Sequence, residues 1–122
     1  MQTQFATSSQ KRIVDRTKLE DLRKLIGEEK CNTAILNFRR ELLACLEAVA
    51  GKTPESASHA HKLAGVAGLL GFEDLEEKCR NFLATHHQNA DVRQSAESLV
   101  QAAQLVKTIL KNDLSPGAYE DD

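Results

Sequence analysis

The residues of this chain that are best suited to chemistry lie on one predicted helix, around His61. Gly65 and Gly68 follow His61 at spacings of four and seven residues. Because a helix turns by about 100° per residue, these three positions share one side of it. Imidazole has a reference pKa of about 6.5, so an exposed histidine is mostly neutral near neutral pH and offers a nucleophilic ring nitrogen. Attack by an imidazole on an acyl phosphate needs an in-line approach and room for three equatorial oxygens, and residues without side chains on the same side of the helix provide such room.

The two glycines need an explanation, because each glycine inside an exposed helix costs about 1 kcal/mol relative to alanine. The predicted buried stripe of the helix lies on the opposite side and consists of Ala60, Leu63, Ala67 and Leu70. Gly65 and Gly68 are therefore predicted to face solvent with His61. We expect them to give clearance to a large partner and room for the oxygens of a phosphoryl group.

A phosphoryl group on His61 would need positive charge around its oxygens. Lys62 follows the histidine directly, and folding the preceding helix back places Arg39 and Arg40 about one turn from its level. Lys78, on the next helix, completes this group of candidates for phosphate contact and partner docking. For each of the four side chains, the alternative is an ordinary solvated surface charge.

The elements that must position these residues are helices. Aromatic residues make up only 4% of the 122 residues and tryptophan is absent, so aliphatic side chains and alanine must fill the core. Apolar periodicity predicts helices over residues 17–26, 28–50, 53–70, 72–86 and from about 89 or 91 to 110. Outside the third helix, the predicted inward-facing residues are Leu19, Leu22, Ile26, Cys31, Ile35, Phe38, Leu42, Cys45, Val49, Phe72, Leu75, Cys79, Phe82, Val92, Ala96, Leu99, Ala103, Val106 and Leu110.

Capping patterns and short connections complete the predicted fold. Residues 17–20 have the form of a capping box, and Thr53 followed by Pro54 is typical of an N-cap and first helical position. Short connections make consecutive helices antiparallel neighbours. We therefore expect an all-α, antiparallel up-down-up-down four-helix bundle with a short extra N-terminal helix. Residues 1–14 are predicted to be a flexible lead-in, 15–112 the bundle domain and 113–122 a flexible acidic tail.

Charge and hydropathy exclude several classes of function. A net charge of −2 and the lack of a basic stripe argue against nucleic-acid binding. No apolar run approaches the ~20 residues that cross a bilayer, and no signal peptide is recognised, so we expect a cytoplasmic protein with no membrane partner. Without a large apolar seam for dimerisation, we expect a monomer. The three widely spaced cysteines are predicted to be reduced and buried.

Eight residues spread over residues 60–82 form a pattern of their own: Ala60, His61, Leu63, Gly65, Gly71, Leu75, Cys79 and Phe82. The pattern resembles the motif of histidine-containing phosphotransfer (HPt) domains, which runs Ala-His-x-Leu-x-Gly, a second Gly six residues on, and then Leu, Cys and a large apolar residue. The surrounding five-helix pattern extends the resemblance to about residues 15–111.

The resemblance implies that His61 is the phospho-acceptor of a phosphorelay in two-component signal transduction. The implied partners are response-regulator receiver domains, which dock on the second and third helices, and a sensor or hybrid histidine kinase. The receiver would supply Mg²⁺ and the aspartyl phosphate, and this chain would hold no cofactor or metal of its own. It would be a phosphoryl carrier with no autokinase activity.

This chain departs from the family pattern at two places. Family members commonly carry lysine three residues after the histidine, where this chain has Ala64, and Lys62 stands two positions earlier. Phe82 and Leu83 stand where the family often has Leu-Glu. The predicted phosphate-site support is therefore Lys62, Ala64, Gly65 and Gly68, and the countercharge must come from Lys62, the second helix or the partner.

Three alternatives to the carrier hypothesis would each require a different residue pattern. A metal site is disfavoured because His59 and His61 point about 200° apart on a helix, and His86 and His87 lack an acidic or cysteine partner at ligand spacing. An independent enzyme is disfavoured because no Gly-rich nucleotide loop is present. A helical interaction module that binds a receiver or kinase without being phosphorylated stays open as the alternative.

Overall fold

The structure, a computed structural model, describes residues 13–112. This range contains five α-helices: α1 (Arg16–Ile26), α2 (Glu28–Ala50), α3 (Ser56–Leu70), α4 (Glu73–His87) and α5 (Arg93–Asn112). The prediction of an all-α chain is confirmed for the described residues. The predicted acidic tail and residues 1–12 of the predicted lead-in lie outside them.

Four of the helices enclose one core. α3 packs against α2 and α4, α4 packs against α5, and α5 returns to α2, whereas α1 lies on α2 and α3. The predicted apolar stripes of α2, α3 and α4 are buried throughout, and the rings of Phe38 and Phe72 stack with their centroids 5.1 Å apart. Core residues that the periodicity missed are Val14, Ala48, Ala64 and Ala102. Val14, which belongs to the predicted lead-in, is therefore part of the core.

The start of α1 differs from the prediction. The N-cap is Asp15, whose carboxylate accepts a hydrogen bond from the Lys18 amide at 3.2 Å. The predicted capping box beginning at Thr17 is therefore wrong. Asp15 also donates its backbone N–H to the carbonyl of Gly71 at 2.7 Å. This contact fixes the chain in an extended conformation two residues earlier than the local pattern indicates.

The start of α3, in contrast, is later than predicted. The hydroxyl of Thr53 donates to the carbonyl of Ala48, which closes the end of α2, so Thr53 does not cap α3. The first regular turn of α3 begins at Ser56, and the residues from Gly51 to Glu55 form the connection. The predicted N-cap at Thr53 is wrong because the first helical residue is Ser56 and Glu55 occupies the N-cap position.

Gly71 ends α3 and joins it to α1. It has a left-handed conformation with φ of 96°, and the next amide, of Phe72, donates back to the carbonyl of Ala67. A Cβ atom on Gly71 would lie 2.6 Å from the carbonyl oxygen of Asp15. Both the positive φ and this close backbone contact require glycine at the position.

Candidate functional site

His61 lies in the second turn of α3 and is exposed to solvent, as predicted. Its side chain makes no hydrogen bond or ion pair with any residue between 13 and 112. The imidazole is therefore held by its backbone position alone, and neither ring nitrogen is bound to a described residue.

The solvent-facing side of α3 is formed by Ser58, His61, Lys62, Gly65 and Leu69, which we call the exposed face. These positions recur at spacings of three and four, as expected for one side of a helix. Leu69 is 57% exposed, so the face joins a nucleophilic ring, a cation and an apolar side chain in one strip. Such a combination is suited to contact with another protein.

Gly65 provides the clearance that the spacing predicts. It is exposed, and a Cβ atom built on it would have nothing within 4 Å. No packing contact in the described structure therefore requires glycine here, although glycine weakens the helix by about 1 kcal/mol relative to alanine. The open space begins one turn beyond His61 on the same face.

Gly68 does not have the predicted role. It is buried, and a Cβ atom on it would lie 2.5 Å from a carboxylate oxygen of Glu76 on α4. The carboxylate is held there by Arg80, whose Nη2 donates to it at 2.7 Å. Glycine at position 68 thus admits a polar side chain from the neighbouring helix. The hydrophobic pattern could not show this, because the residue that covers Gly68 is charged.

Ala64 is also placed differently from the expectation that it shares the face of His61. Only 1% of its surface is exposed, and it belongs to the hydrophobic core with Leu63 and Ala67. The boundary between the exposed and buried sides of α3 therefore runs between His61 and Ala64. A lysine at position 64 would begin inside the core of this protein.

The predicted cationic residues are spread over three helices. Lys62 and Arg40 are exposed, and neither side chain makes an ion pair with the described residues. Arg39 is half-buried and has interactions of its own. Lys78 lies 3.9 Å from the carboxylate of Asp74 on the same helix. None of the four forms a hydrogen bond with His61 in the described part of the chain.

His59 has a partner that the sequence did not indicate. Its Nδ1 lies 2.7 Å from Oε2 of Glu41, which joins the first turn of α3 to the middle of α2. Both side chains are about three-quarters buried, with exposed fractions of 29% and 22%. This contact positions the turn that carries His61, two residues further along the helix.

The three cysteines are free thiols, and all three are buried. Burial, with a smaller contribution from the nearby Glu41 carboxylate, raises the pKa of the Cys45 thiol to about 12. Burial also raises the pKa of Cys79, with a further contribution from Cys45. These thiols are consequently poor nucleophiles.

The described residues also bear on metal binding and membrane insertion. Within residues 13–112, no three histidine, cysteine, aspartate or glutamate side chains come close enough to hold a metal ion. None of the helices in this range combines the length and apolar character needed to cross a membrane. Comparisons of the chain with protein-family models, with curated proteins and with solved structures gave no match.

Proposed function

We propose that this chain is a histidine phosphotransfer protein of the HPt type. His61 accepts a phosphoryl group from the aspartyl phosphate of a receiver domain and passes it to another response regulator. The proposal includes the finer topology, in which α2 to α5 run antiparallel in an up-down-up-down bundle, and a cytoplasmic, monomeric carrier without autokinase activity.

The observation that carries the proposal is the surroundings of His61. The ring is exposed and has no side-chain partner among residues 13–112, and the next turn on its face, at Gly65, opens onto empty space. A partner's active-site rim can thus approach the imidazole without displacing any side chain on that turn. The HPt-like pattern of residues 60–82 supports the same conclusion.

The transfer step requires little of this chain beyond presentation of the ring. A ring nitrogen forms a bond to phosphorus while the bond between phosphorus and the aspartyl oxygen breaks, and the aspartate leaves as a carboxylate. The other ring nitrogen keeps its proton. The geometry must be in line, and positive charge must surround the three equatorial oxygens. Mg²⁺ bound to the receiver supplies part of that charge.

The remaining countercharge comes from outside position 64, because the alanine there carries no charge. Lys62 is the nearest cation on the exposed face, and its long side chain extends from the residue next to His61. In the antiparallel arrangement, the Glu41–His59 contact brings Arg40 of α2 to about the level of His61. Lys62 and Arg40 are therefore the proposed cationic contacts for the phosphoryl group or the docked receiver.

Incubation with a panel of phosphorylated receiver domains tests the proposal. We expect acid-labile, alkali-stable labelling of the wild-type chain and no labelling of His61→Gln. His87→Gln is the matched control, since His87 is another exposed helical histidine and its substitution should leave labelling intact. Circular dichroism of each variant verifies that the helices are retained. A wild-type chain that no receiver labels would contradict the proposal.

The exposed Leu69 gives the alternative, a receiver- or kinase-binding module without phosphotransfer, a specific basis. An apolar side chain on the same face as His61 could contribute to docking whether or not the ring is phosphorylated. Binding of a receiver by wild type and His61→Gln alike, with no labelled intermediate in either, would favour this alternative.

A further inference from the structure

A cavity of about 660 Å³ lies at one end of the bundle, apart from the exposed face of α3. It is enclosed by the last residues of α2, the connection to α3, the end of α4 and the start of α5. Its volume is within the range of cavities that bind small molecules. The proposed phosphotransfer makes no use of it.

The floor of the cavity is apolar. Val49 and Phe82 are buried there. Val92, which directly precedes α5, and Ala96, in the first turn of α5, lie half-buried beside them. A floor of this kind removes apolar ligand surface from water without any rearrangement of the four helices.

A hydroxyl group on a largely buried residue also lines the cavity. Ser56 is 6% exposed and is the buried polar residue of the described range. Its hydroxyl has no hydrogen-bond partner within residues 13–112, yet it is not cut off from solvent. Because no described protein group occupies it, this hydroxyl can donate a hydrogen bond to a molecule inside the cavity.

The rim of the cavity carries an available cation. Lys52 is exposed and makes no ion pair with the described residues, whereas Arg93 is bound to Asp91 at 2.8 Å. Lys52 also has a left-handed backbone with φ of 55°, a conformation that glycine would adopt at lower cost. Glu97 lies on the opposite, α5 side of the rim.

From this arrangement we infer that the cavity binds a small amphipathic carboxylate. The apolar body lies on Phe82 and Val92, and the carboxylate accepts hydrogen bonds from the Ser56 hydroxyl and the Lys52 ammonium group. A hydroxyl without a described partner and an unpaired cation together favour an anionic head group. Glu97 disfavours an anion on the α5 side.

This inference is tested by titrating the protein with two probes that share an apolar phenylbutyl group and carry opposite charges. Binding is monitored by the chemical shifts of the backbone amides. 4-Phenylbutyrate should give saturable shifts confined to the cavity-lining residues, and 4-phenylbutylamine should bind at least about fivefold more weakly. Equal binding of the two probes, or the absence of saturable shifts with the carboxylate, would overturn it. The assay does not involve His61, so its result is independent of the phosphotransfer proposal.

Three variants identify the contacts. Lys52→Gln and Ser56→Ala should each weaken 4-phenylbutyrate binding by about fivefold, the loss of one charge-assisted hydrogen bond. Ala96→Trp should fill the cavity and abolish binding. Lys111→Gln, which removes an exposed lysine at the far end of α5, is the matched control and should bind as the wild type does. Unchanged affinity in Lys52→Gln and Ser56→Ala, with their helical content retained, would refute the assignment.

Discussion

The two sides of α3 carry similar residues with opposite roles. On the exposed face, Gly65 has open space in front of it, whereas on the buried side Gly68 lies beneath the Glu76 carboxylate. The buried side is wide because α3 contacts α1, α2 and α4. Its residues are accordingly small at four positions besides Gly68: Ser56, Ala60, Ala64 and Ala67.

The difference shows that residue type alone does not reveal why a helix contains glycine. His61 and Gly68 differ by only about 20° around the helix axis, yet one is exposed and the other buried. They lie two turns apart along the axis, and Glu76 of α4 covers only the later turn. One glycine leaves room for a partner outside the molecule, and the other leaves room for a neighbour within it.

The largest expected effect is the difference in the free energy of unfolding between lysine variants at positions 64 and 65. Ala64→Lys should lower the free energy of unfolding by at least ~3 kcal/mol, because it places a charge and a long chain in the core. Gly65→Lys should raise it by up to about 1 kcal/mol, because the side chain meets only solvent and helix propensity improves. Urea unfolding measures both. A loss below about 1 kcal/mol in Ala64→Lys would mean that position 64 reaches solvent.

The buried cysteines should lower the free energy of unfolding as the pH becomes alkaline. The unfolded chain ionises its thiols near their ordinary pKa of 9.0, whereas folding raises the pKa of Cys45 to about 12. This stabilisation is complete below pH 9 and is lost as the pH rises toward 12. We expect a loss of at least ~1 kcal/mol by pH 11. Comparing wild type with Cys45→Ala separates the contribution of this thiol from that of lysine titration. The same dependence of the free energy of unfolding on pH in both proteins would refute the prediction.

Alanine substitutions compare the two glycines directly. Gly65→Ala should raise the free energy of unfolding by about 1 kcal/mol through helix propensity. Gly68→Ala should gain less, because the new methyl group displaces the Glu76 carboxylate from its position beside Arg80. The ion pair is partly exposed, so its loss offsets at most about 1 kcal/mol.

A double-mutant cycle sharpens this comparison. In a Glu76→Ala background, Gly68→Ala should recover the full gain seen at Gly65, because no carboxylate then opposes the methyl group. Thermal or urea unfolding of the four proteins gives the coupling free energy. If Gly68→Ala gains as much as Gly65→Ala in the wild-type background, Glu76 does not restrict position 68.

The smallest effect is expected at the contact between α2 and the start of α3. Glu41→Gln and His59→Gln should each lower the free energy of unfolding by no more than about 1 kcal/mol, because the pair retains some contact with water. The double variant should lose little more than either single one, since both remove the same interaction. Fully additive losses would indicate that the two side chains act separately.

The sequence alone determined which residues form the helices and most of the core. Hydrophobic periodicity depends on residues three and four apart, and the stripes of α2, α3 and α4 are buried as it predicts. The same local geometry determined that His61 faces solvent, since it lies opposite the stripe containing Leu63. The glycine at position 71 could likewise be assigned to a helix end.

Only the tertiary structure decided what surrounds each turn. Periodicity gives a direction around one helix, but it does not say which neighbour covers that direction at a given height. The roles of Ala64 and Gly68, the contact of His59 with Glu41, and the helix start at Asp15 all depend on residues distant in sequence. The cavity at the end of the bundle has the same origin, because four separate segments must meet to enclose it. Local spacing is thus sufficient to predict that His61 faces solvent, whereas packing between helices determines which residues surround it.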